Sequence, residues 1–179
     1  MEKVLRDSTF IGMASEWRPL ITKRDTNRPA LLQIGNKEAV FLIDLIALEK
    51  NTELDYTLYS LFTNDKTTCI GFDFNSALSV KSALKQMDFY QDFSNFVDVQ
   101  DKFGQLFTQN KRFGLNYVMD YLFQKSICMG EKMSNWERKP LRQSQNHHAA
   151  LNAVCLIYIL EKLDDLDTKK QTPKPLTRE

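Results

Sequence analysis

The sequence is poor in cysteine, and its three cysteines do not form a recognisable pair. Cys69, Cys128 and Cys155 are far apart, and none of them belongs to a C-x-x-C motif. An odd number at such spacings excludes a disulfide framework, a zinc finger and a thioredoxin-type redox site. We therefore expect buried free thiols and an intracellular protein, cytoplasmic or nuclear.

Long apolar runs and repeats are also missing. No stretch reaches the roughly 18 apolar residues that a membrane-spanning helix needs, and residues 1–10 lack the apolar centre of a signal peptide. No membrane association is expected. The absence of a repeated unit or a low-complexity tract excludes solenoid architectures.

Neither sign of charge is in excess. The 24 Lys and Arg residues against 23 Asp and Glu residues give a net charge of +1, so any nucleic-acid binding must be local rather than spread over a basic surface. A length of 179 residues with 42% hydrophobic residues is typical of one globular domain. We assign residues 1–165 to this domain and expect the polar residues 166–179 to fray.

The hydrophobic pattern changes along the chain. Three strands joined by turn-rich segments come first, which predicts an antiparallel meander, and helices and strands alternate afterwards. The predicted strands are 10–17, 30–34, 40–44, 68–72 and 96–99, and the predicted helices are 54–62, 76–87, 102–109, 115–125 and 143–163. Because parallel strands need right-handed helical crossovers, we predict an α/β fold. It is a ribonuclease H-like mixed sheet, with three antiparallel strands and then parallel strands, flanked by helices.

Three stretches stand out together. They are A-S-E-W-R-P at 14–19, G-F at 71–72 with S-A-L at 76–78, and S-N-W-E-R-K-P-L-R at 134–142 followed by Gln145 and A-A-L at 149–151. In order and spacing they resemble the tyrosine-containing branch of the DEDD-type 3′-5′ exonucleases. This branch includes ribonuclease D, the Werner exonuclease domain, and the Nibbler-like and mutator-type exonucleases of small-RNA pathways. The resemblance covers residues 10–163, and its third stretch is the most specific.

The resemblance implies a site in which four acidic residues hold two Mg²⁺ or Mn²⁺ ions. The ions activate a water molecule and stabilise the leaving oxygen during phosphodiester cleavage, and in the family a tyrosine positions the water. The positions corresponding to the acids and the tyrosine are Ala14, Glu16, Ala77, His148 and Asn152. Only Glu16 is retained.

The replaced residues predict weak metal binding at Glu16 or none. Alanine offers no ligand and Asn152 offers only a neutral carbonyl oxygen, whereas hard dications require several oxygen ligands. Removing clustered carboxylates also stabilises the metal-free fold, because like charges repel each other. We expect no cofactor for the chain as written, Mg²⁺ or Mn²⁺ only if the site were intact, and no cleavage.

Two alternatives remain open: the chain is a metal-dependent 3′-5′ exoribonuclease domain, or it is an inactivated form of one. In the first, Asp73 and a histidine act as substitute ligands. Asp73 lies four residues before Ala77, and His147 has the spacing to Asn152 that the histidine-containing branch uses. Otherwise Asp73 caps a helix or is solvated, and His147 lies on the surface. In the second alternative the replacements were engineered; we favour natural divergence, because His148 is not a typical knockout substitution.

Nucleic-acid binding can persist after catalysis is lost. Phosphate contacts need only hydrogen-bond donors and positive charge, and bases stack on aromatic rings. The candidate contacts are Trp17, Trp136, Arg138, Lys139 and Arg142, with Lys132 in the same loop and a second basic loop at Lys23, Arg24 and Arg28. Alternatively, Trp136 and Leu141 pin the loop onto the core and the charges are a solvated face. Any binding of single-stranded RNA is expected to be weak and salt-dependent.

A protein partner or a homo-oligomer is the remaining possibility for an interaction. The aromatic segment 88–96 either forms a contact surface or caps the core, and the single acids Asp98 and Asp120 are expected on solvated faces. The sequence thus predicts an exonuclease-like domain, inactive in catalysis, that acts as an RNA- or protein-binding scaffold in RNA processing.

Overall fold

A mixed five-stranded sheet forms the centre of the fold in the computed structural model, which describes residues 1–17, 28–87, 90–91, 93–107 and 113–169. The strands are β1 (Phe10–Trp17), β2 (Pro29–Gly35), β3 (Val40–Asp44), β4 (Thr68–Gly71) and β5 (Phe96–Asp98). Their order is β3-β2-β1-β4-β5. The first three strands pair antiparallel, and β4 and β5 continue the sheet in parallel. The predicted α/β arrangement is confirmed.

Six helices accompany the sheet in the described part of the chain. They are α1 (Glu2–Leu5), α2 (Thr52–Phe62), α3 (Val80–Leu84), α4 (Val99–Leu106), α5 (Leu115–Phe123) and α6 (Gln143–Thr168). Helix α1 has only four residues, which is too short for an apolar periodicity to show in the sequence. Among the described residues no helix is both long enough and apolar enough to cross a membrane.

The sheet separates two hydrophobic clusters. In the first, β1 and β2 contribute Met13, Leu32 and Ile34, which pack with Leu58 and Phe62 of α2. The second lies mainly among α4, α5 and α6 and has at its centre the buried side chains Phe103, Val118, Leu156, Leu160 and Leu163. Helix α6 contacts β1, β2, β3 and β4. The position of α6 therefore determines where its side chains lie relative to the sheet.

Helix α3 is shorter than predicted, and this places Ala77 differently. The prediction of a helix over 76–87 is wrong at both ends, because α3 covers only Val80–Leu84. The hydroxyl of Ser79 accepts a hydrogen bond from the N–H of Ser82 and caps the helix. Ala77 therefore lies in the loop between β4 and α3 rather than on a helix.

The other helix ends also differ from the prediction. Helix α4 begins at Val99 instead of Lys102, and α6 continues to Thr168, so the start of the predicted polar tail is helical. Residues 108–109 of the helix predicted over 102–109 and residues 170–179 of the tail lie outside the described residues.

Asp98 is not on a solvated face, which corrects the prediction. Its carboxylate accepts N–H groups from Asp73 at 3.0 Å, Phe74 at 2.6 Å and Gln100 at 2.9 Å. Burial raises the pKa of this carboxyl group, and the backbone hydrogen bonds oppose that rise. Asp98 thus ties the loop after β4 to the start of α4, whereas Asp120 is exposed as predicted.

Two further predictions are settled in part. Cys69 and Cys155 are buried free thiols, but Cys128 is exposed. In the aromatic segment 88–96, residues 88, 89 and 92 lie outside the described residues, while Phe93 and Phe96 pack edge-to-face on Phe62. For these two rings the structure favours the core-capping interpretation.

Strand β1 and helix α6 approach each other closely at Gly12. A methyl group at this position would overlap the carbonyl oxygen of Ala153 and lie 2.9 Å from its carbonyl carbon. Because the obstacle is backbone, it cannot rotate away, so a side chain here would push α6 off the sheet.

We expect Gly12→Ala to lower the free energy of unfolding by about 1–3 kcal/mol, as overpacking of a dense core does. Urea denaturation followed by circular dichroism measures this. The matched control is Gly130→Ala, because a methyl group there meets only the sulfur of Cys128 at 3.6 Å. Equal stabilities of the two variants would show that α6 adapts without cost.

Candidate active site

Four of the five site positions predicted from the family resemblance line one cavity of about 380 Å³. Ala14 and Glu16 come from β1, and His148 and Asn152 come from α6, where one helical turn separates them. Ala77 does not line the cavity, although its neighbour Leu78 does. The structure therefore brings four of the five predicted positions together, and it places Ala77 in the loop after β4, outside the cavity lining.

Glu16, Asn152 and His148 form a hydrogen-bonded group at the floor of the cavity. The amide nitrogen of Asn152 donates to Oε1 of Glu16 at 2.8 Å and lies 3.1 Å from Nε2 of His148. Glu16 is 9% exposed and His148 is 5% exposed. A single amide group, with one hydrogen for each neighbour, thus bridges the retained carboxylate and the imidazole.

The other ring nitrogen of His148 determines the tautomer. Nδ1 lies 2.9 Å from the carbonyl oxygen of Cys128. A carbonyl oxygen only accepts, so Nδ1 carries a hydrogen, and in the neutral ring Nε2 is then an acceptor for Asn152. The indole ring of Trp136 packs against the imidazole with a centroid distance of 6.0 Å. Backbone, amide and aromatic contacts therefore hold His148 on all sides.

The carboxylate of Glu16 makes protonation of His148 easier. The pKa of His148 is raised, mainly by the hydrogen bond to Glu16, while burial opposes the rise and the charge of Glu16 and the Cys128 carbonyl add to it. The distance from Nε2 to Oε1 of Glu16 is 3.5 Å. A protonated ring donates towards Glu16 from Nε2, so it competes with the Asn152 amide for the same oxygen.

The residues present do not fit a two-metal centre. The Glu16 carboxylate accepts a hydrogen bond from the nitrogen of Asn152 at 2.8 Å, and turning the amide would place its oxygen against the carboxylate, which is unfavourable. Asp73 lines the same cavity, but in the part of the chain that the structure describes, no three His, Cys, Asp or Glu side chains converge to hold a metal ion. His147 is exposed and does not line the cavity, so the structure does not support its role as a substitute ligand.

The two tryptophans predicted to contact nucleic acid are buried. Trp136 is 0% exposed, and its cluster includes Leu141. Trp17 is 8% exposed, and its indole nitrogen donates to the hydroxyl of Ser15 at 3.0 Å. The prediction that these rings stack on bases is wrong in this structure, and the alternative, in which Trp136 and Leu141 pin the loop to the core, is confirmed.

Two of the three predicted cations in this loop are engaged within the protein. The ammonium group of Lys139 donates to the carbonyl of Trp136 at 2.8 Å and lies 3.4 Å from Asp44. The guanidinium group of Arg142 binds Glu131 at 2.5 Å. Arg138 is exposed. In the second basic loop, Lys23 and Arg24 lie outside the described residues, and Arg28 pairs with Glu49 at 2.8 Å.

Sequence reasoning missed the residues that shape the wall of the cavity. The side chain of Asn116 on α5 binds both the N–H and the carbonyl oxygen of Ile127, each at 2.9 Å. This pair of bonds fixes the start of the loop that follows Ile127. The same loop carries Met129 and Lys132, which also line the cavity. No spacing in the sequence signals such a bond between a helix and a loop.

Comparison with known proteins identifies the fold and the motifs together. A model of the 3′-5′ exonuclease family matches residues 1–166. The chain belongs to this exonuclease family. The family resemblance drawn from the three motifs is therefore confirmed, as is the ribonuclease H-like fold.

Two curated exonucleases are similar in sequence. The chain is 28% identical to the exonuclease mut-7 of Caenorhabditis elegans over 172 residues, which are 86% of this chain and 19% of that protein. It is 30% identical to the exonuclease mut-7 homolog of Drosophila melanogaster over 176 residues, which are 89% of this chain and 28% of that protein. The chain thus spans less than a third of these relatives.

Two solved structures share the fold. The Nibbler EXO domain of Aedes aegypti superposes with a TM-score of 0.80 at 23% identity, covering 96% of this chain and 84% of that one. Ribonuclease D of Escherichia coli superposes with a TM-score of 0.76 at 16% identity, covering 94% and 42%. At these identities the superpositions establish the architecture of this exonuclease domain and nothing finer.

The raised pKa of His148 predicts a pH-dependent stability. Protonation favours the folded state, so this contribution is complete below the ordinary histidine pKa of about 6.5 and is lost as the pH rises through the raised value. We expect the stability difference between the chain and His148→Gln to be largest near pH 5 and to shrink with increasing pH. Urea unfolding at a series of pH values measures it.

The matched control is His147→Gln, which removes a neighbouring histidine on the exposed side of α6 without touching Glu16 or Asn152. A stability difference for His148→Gln that grows with pH would contradict the assignment. Nitrogen chemical shifts of the imidazole ring provide a second check, because they report directly whether Nδ1 carries the hydrogen.

Proposed function

We propose that this exonuclease-family domain does not cleave phosphodiesters and acts as a binding scaffold. The observation that supports the proposal is the Asn152 amide, which lies between Glu16 and His148 and occupies the retained carboxylate with a hydrogen bond of 2.8 Å. Glu16 and His148 are buried, Asn152 is partly buried, and their hydrogen bonds are mutually consistent. The floor of the site is therefore stable without any bound ion.

The chemistry of the family makes this arrangement unsuitable for hydrolysis. Two-metal cleavage requires oxygen ligands that offset the charge of the ions and hold them in place. Of the four acidic positions only Glu16 remains, so the formal charge that the ligands contribute falls from about −4 to about −1. Ala14, on the same strand, supplies a methyl group in place of a ligand.

Binding is the function that the remaining features support. The cavity persists without the catalytic acids, and the proteins similar in sequence are named as exonucleases of the mut-7 type. The family resemblance of the motifs extends to small-RNA exonucleases. We place the domain in RNA processing as a partner-binding module, with single-stranded RNA as a weak ligand at most, because Lys139 and Arg142 are used inside the protein.

A second candidate is a metal-dependent 3′-5′ exoribonuclease that uses substitute ligands. The specific observation in its favour is that Asp73 lines the same cavity as Glu16 and His148. An engineered, inactivated form of an active enzyme would have the same cavity. Both candidates make predictions about metal and RNA that differ from those of a scaffold.

The first prediction concerns cleavage. With 5′-labelled single-stranded RNA and Mg²⁺ or Mn²⁺, we expect no shortened products from this chain on a denaturing gel. We expect a ladder of products from the variant Ala14→Asp, Ala77→Asp, His148→Tyr and Asn152→Asp, because these changes place two further carboxylates in the cavity at positions 14 and 152, and supply the tyrosine and the acid at position 77 that the family resemblance implies. Circular dichroism must show that both proteins are folded.

The control for that assay is Glu16→Ala in the unmodified chain. If the unmodified chain shortened RNA and Glu16→Ala did not, the proposal would be wrong, and the exoribonuclease with substitute ligands would replace it. If neither the unmodified chain nor the restored variant shortened RNA, residues beyond these four positions would also have diverged from the active family members.

The second prediction concerns metal binding. Calorimetric titration with Mn²⁺ is expected to show no saturable binding to this chain, because one carboxylate engaged by an amide cannot hold a dication. Asn152→Asp removes the competing amide and adds a carboxylate beside Glu16, so weak binding should appear. Saturable binding to the unmodified chain that Asp73→Asn abolishes would favour the substitute-ligand candidate.

A further inference from the structure

The mouth of the cavity is bordered by exposed apolar side chains. Leu78, in the loop before α3, is 46% exposed, while Met129 and Met133, in the loop before α6, are 46% and 72% exposed. Leu78 and Met129 line the cavity itself, and Met133 directly follows Lys132, which also lines it. We call these three residues together the apolar rim. Exposed apolar side chains beside a cavity, and methionines in particular, are typical of surfaces that bind other proteins.

Among the residues that the structure describes, the charges of the cavity do not suit a nucleic-acid backbone. The described lining contains the carboxylates of Glu16 and Asp73 and one cation, Lys132. Phosphate groups bind where several cations or donors converge. The polar floor, in turn, is satisfied internally by the hydrogen bonds among Glu16, Asn152 and His148. A ligand therefore gains most from the apolar wall and from Lys132.

Lys132 is the charged group that a ligand meets at the rim. It is exposed, and it makes no ion pair with any residue that the structure describes. Its neighbour Glu131 does not neutralise it, because that carboxylate binds Arg142 and the hydroxyl of Ser134. The loop thus presents one available positive charge between Met129 and Met133.

The loop that carries the two methionines is held in place before any partner arrives. The N–H of Lys132 donates to the carbonyl of Met129 at 3.1 Å, and the N–H of Ser134 donates to the carbonyl of Glu131 at 3.0 Å. Trp136 anchors the loop in the core. A preformed surface loses little conformational entropy on binding.

We infer that the apolar rim and Lys132 dock a peptide segment of a protein partner. The segment inserts one large apolar side chain between Leu78 and Met129 and places an acidic residue beside Lys132. This inference rests on the proposed function, since a cavity that holds metal ions and a cleaving phosphate has no room for such a side chain. A volume of about 380 Å³ is at the small end of the range for ligand sites, roughly 300–1,000 Å³, and leaves room for a large apolar side chain.

The test is a selection from a random twelve-residue peptide library displayed on phage, with the folded chain as the target. We expect enrichment of peptides that carry a Leu, Met or Phe next to an Asp or Glu. The selected peptide is then synthesised, and its affinity is measured by fluorescence anisotropy. Met133→Glu should weaken binding about tenfold, because it places a carboxylate next to Lys132, where the acidic residue of the peptide would bind.

The matched control is Tyr56→Glu on α2, because Tyr56 is 71% exposed, nearly the same as Met133, and does not line the cavity. This variant should leave the affinity unchanged. A repeat selection on Lys132→Glu should enrich basic instead of acidic flanking residues. Such a reversal would reflect the charge at position 132, because a variant that failed to fold would not select peptides of the opposite charge.

The inference is overturned if the enriched peptides share no apolar and acidic pair, if Tyr56→Glu weakens binding as much as Met133→Glu, or if an oligouridine 12-mer displaces the peptide from the rim. The last result would assign the cavity to RNA. Failure of the proposed function is a separate result, because it appears as Mn²⁺-dependent shortening of RNA. An inactive chain without rim-dependent peptides would overturn this inference and leave the proposed function standing.

Discussion

The close packing of β1 against α6 is the constraint on which the rest of the structure depends. At Gly12 the strand leaves no space for a side chain against the carbonyl group of Ala153. Glu16 follows Gly12 by four residues on the strand, and Asn152 directly precedes Ala153 on the helix. The backbone contact therefore sets the distance across which the carboxylate, the amide and the imidazole meet.

At that distance, the neutral amide of Asn152 bridges the carboxylate of Glu16 and the imidazole of His148. A buried carboxylate without a partner is costly, and a partly satisfied polar network is worse than an apolar one. The Asn152 amide solves both problems, since its two hydrogens face Glu16 and the neutral nitrogen of His148. The carbonyl of Cys128 completes the group by accepting the remaining ring hydrogen. Glu16, Asn152 and His148 thus form a polar cluster whose hydrogen bonds are satisfied among themselves and by the Cys128 carbonyl.

The sequence was informative where local patterns decide the outcome. Alternation and helical spacing predicted the five strands and the long helix α6, and the motifs placed Glu16, His148 and Asn152 in one site. Prediction failed where tertiary contacts compete with local preference. Residues 76–79 have a helical pattern, but the cap at Ser79 starts the helix later. The burial of Trp136 and the exposure of Met133 depend on how a loop folds back, which no spacing within that loop records.

Asp98 supports the loop beside the cavity, although it is not itself part of the cavity lining. Its carboxylate holds the backbone of Asp73 and Phe74, and through them the path of the loop that carries Ala77. No acid at position 77 is needed for this path. The outline of the cavity and the side chains that it presents are therefore set by different residues, so a substitution at a site position can change the chemistry of the cavity without changing its shape.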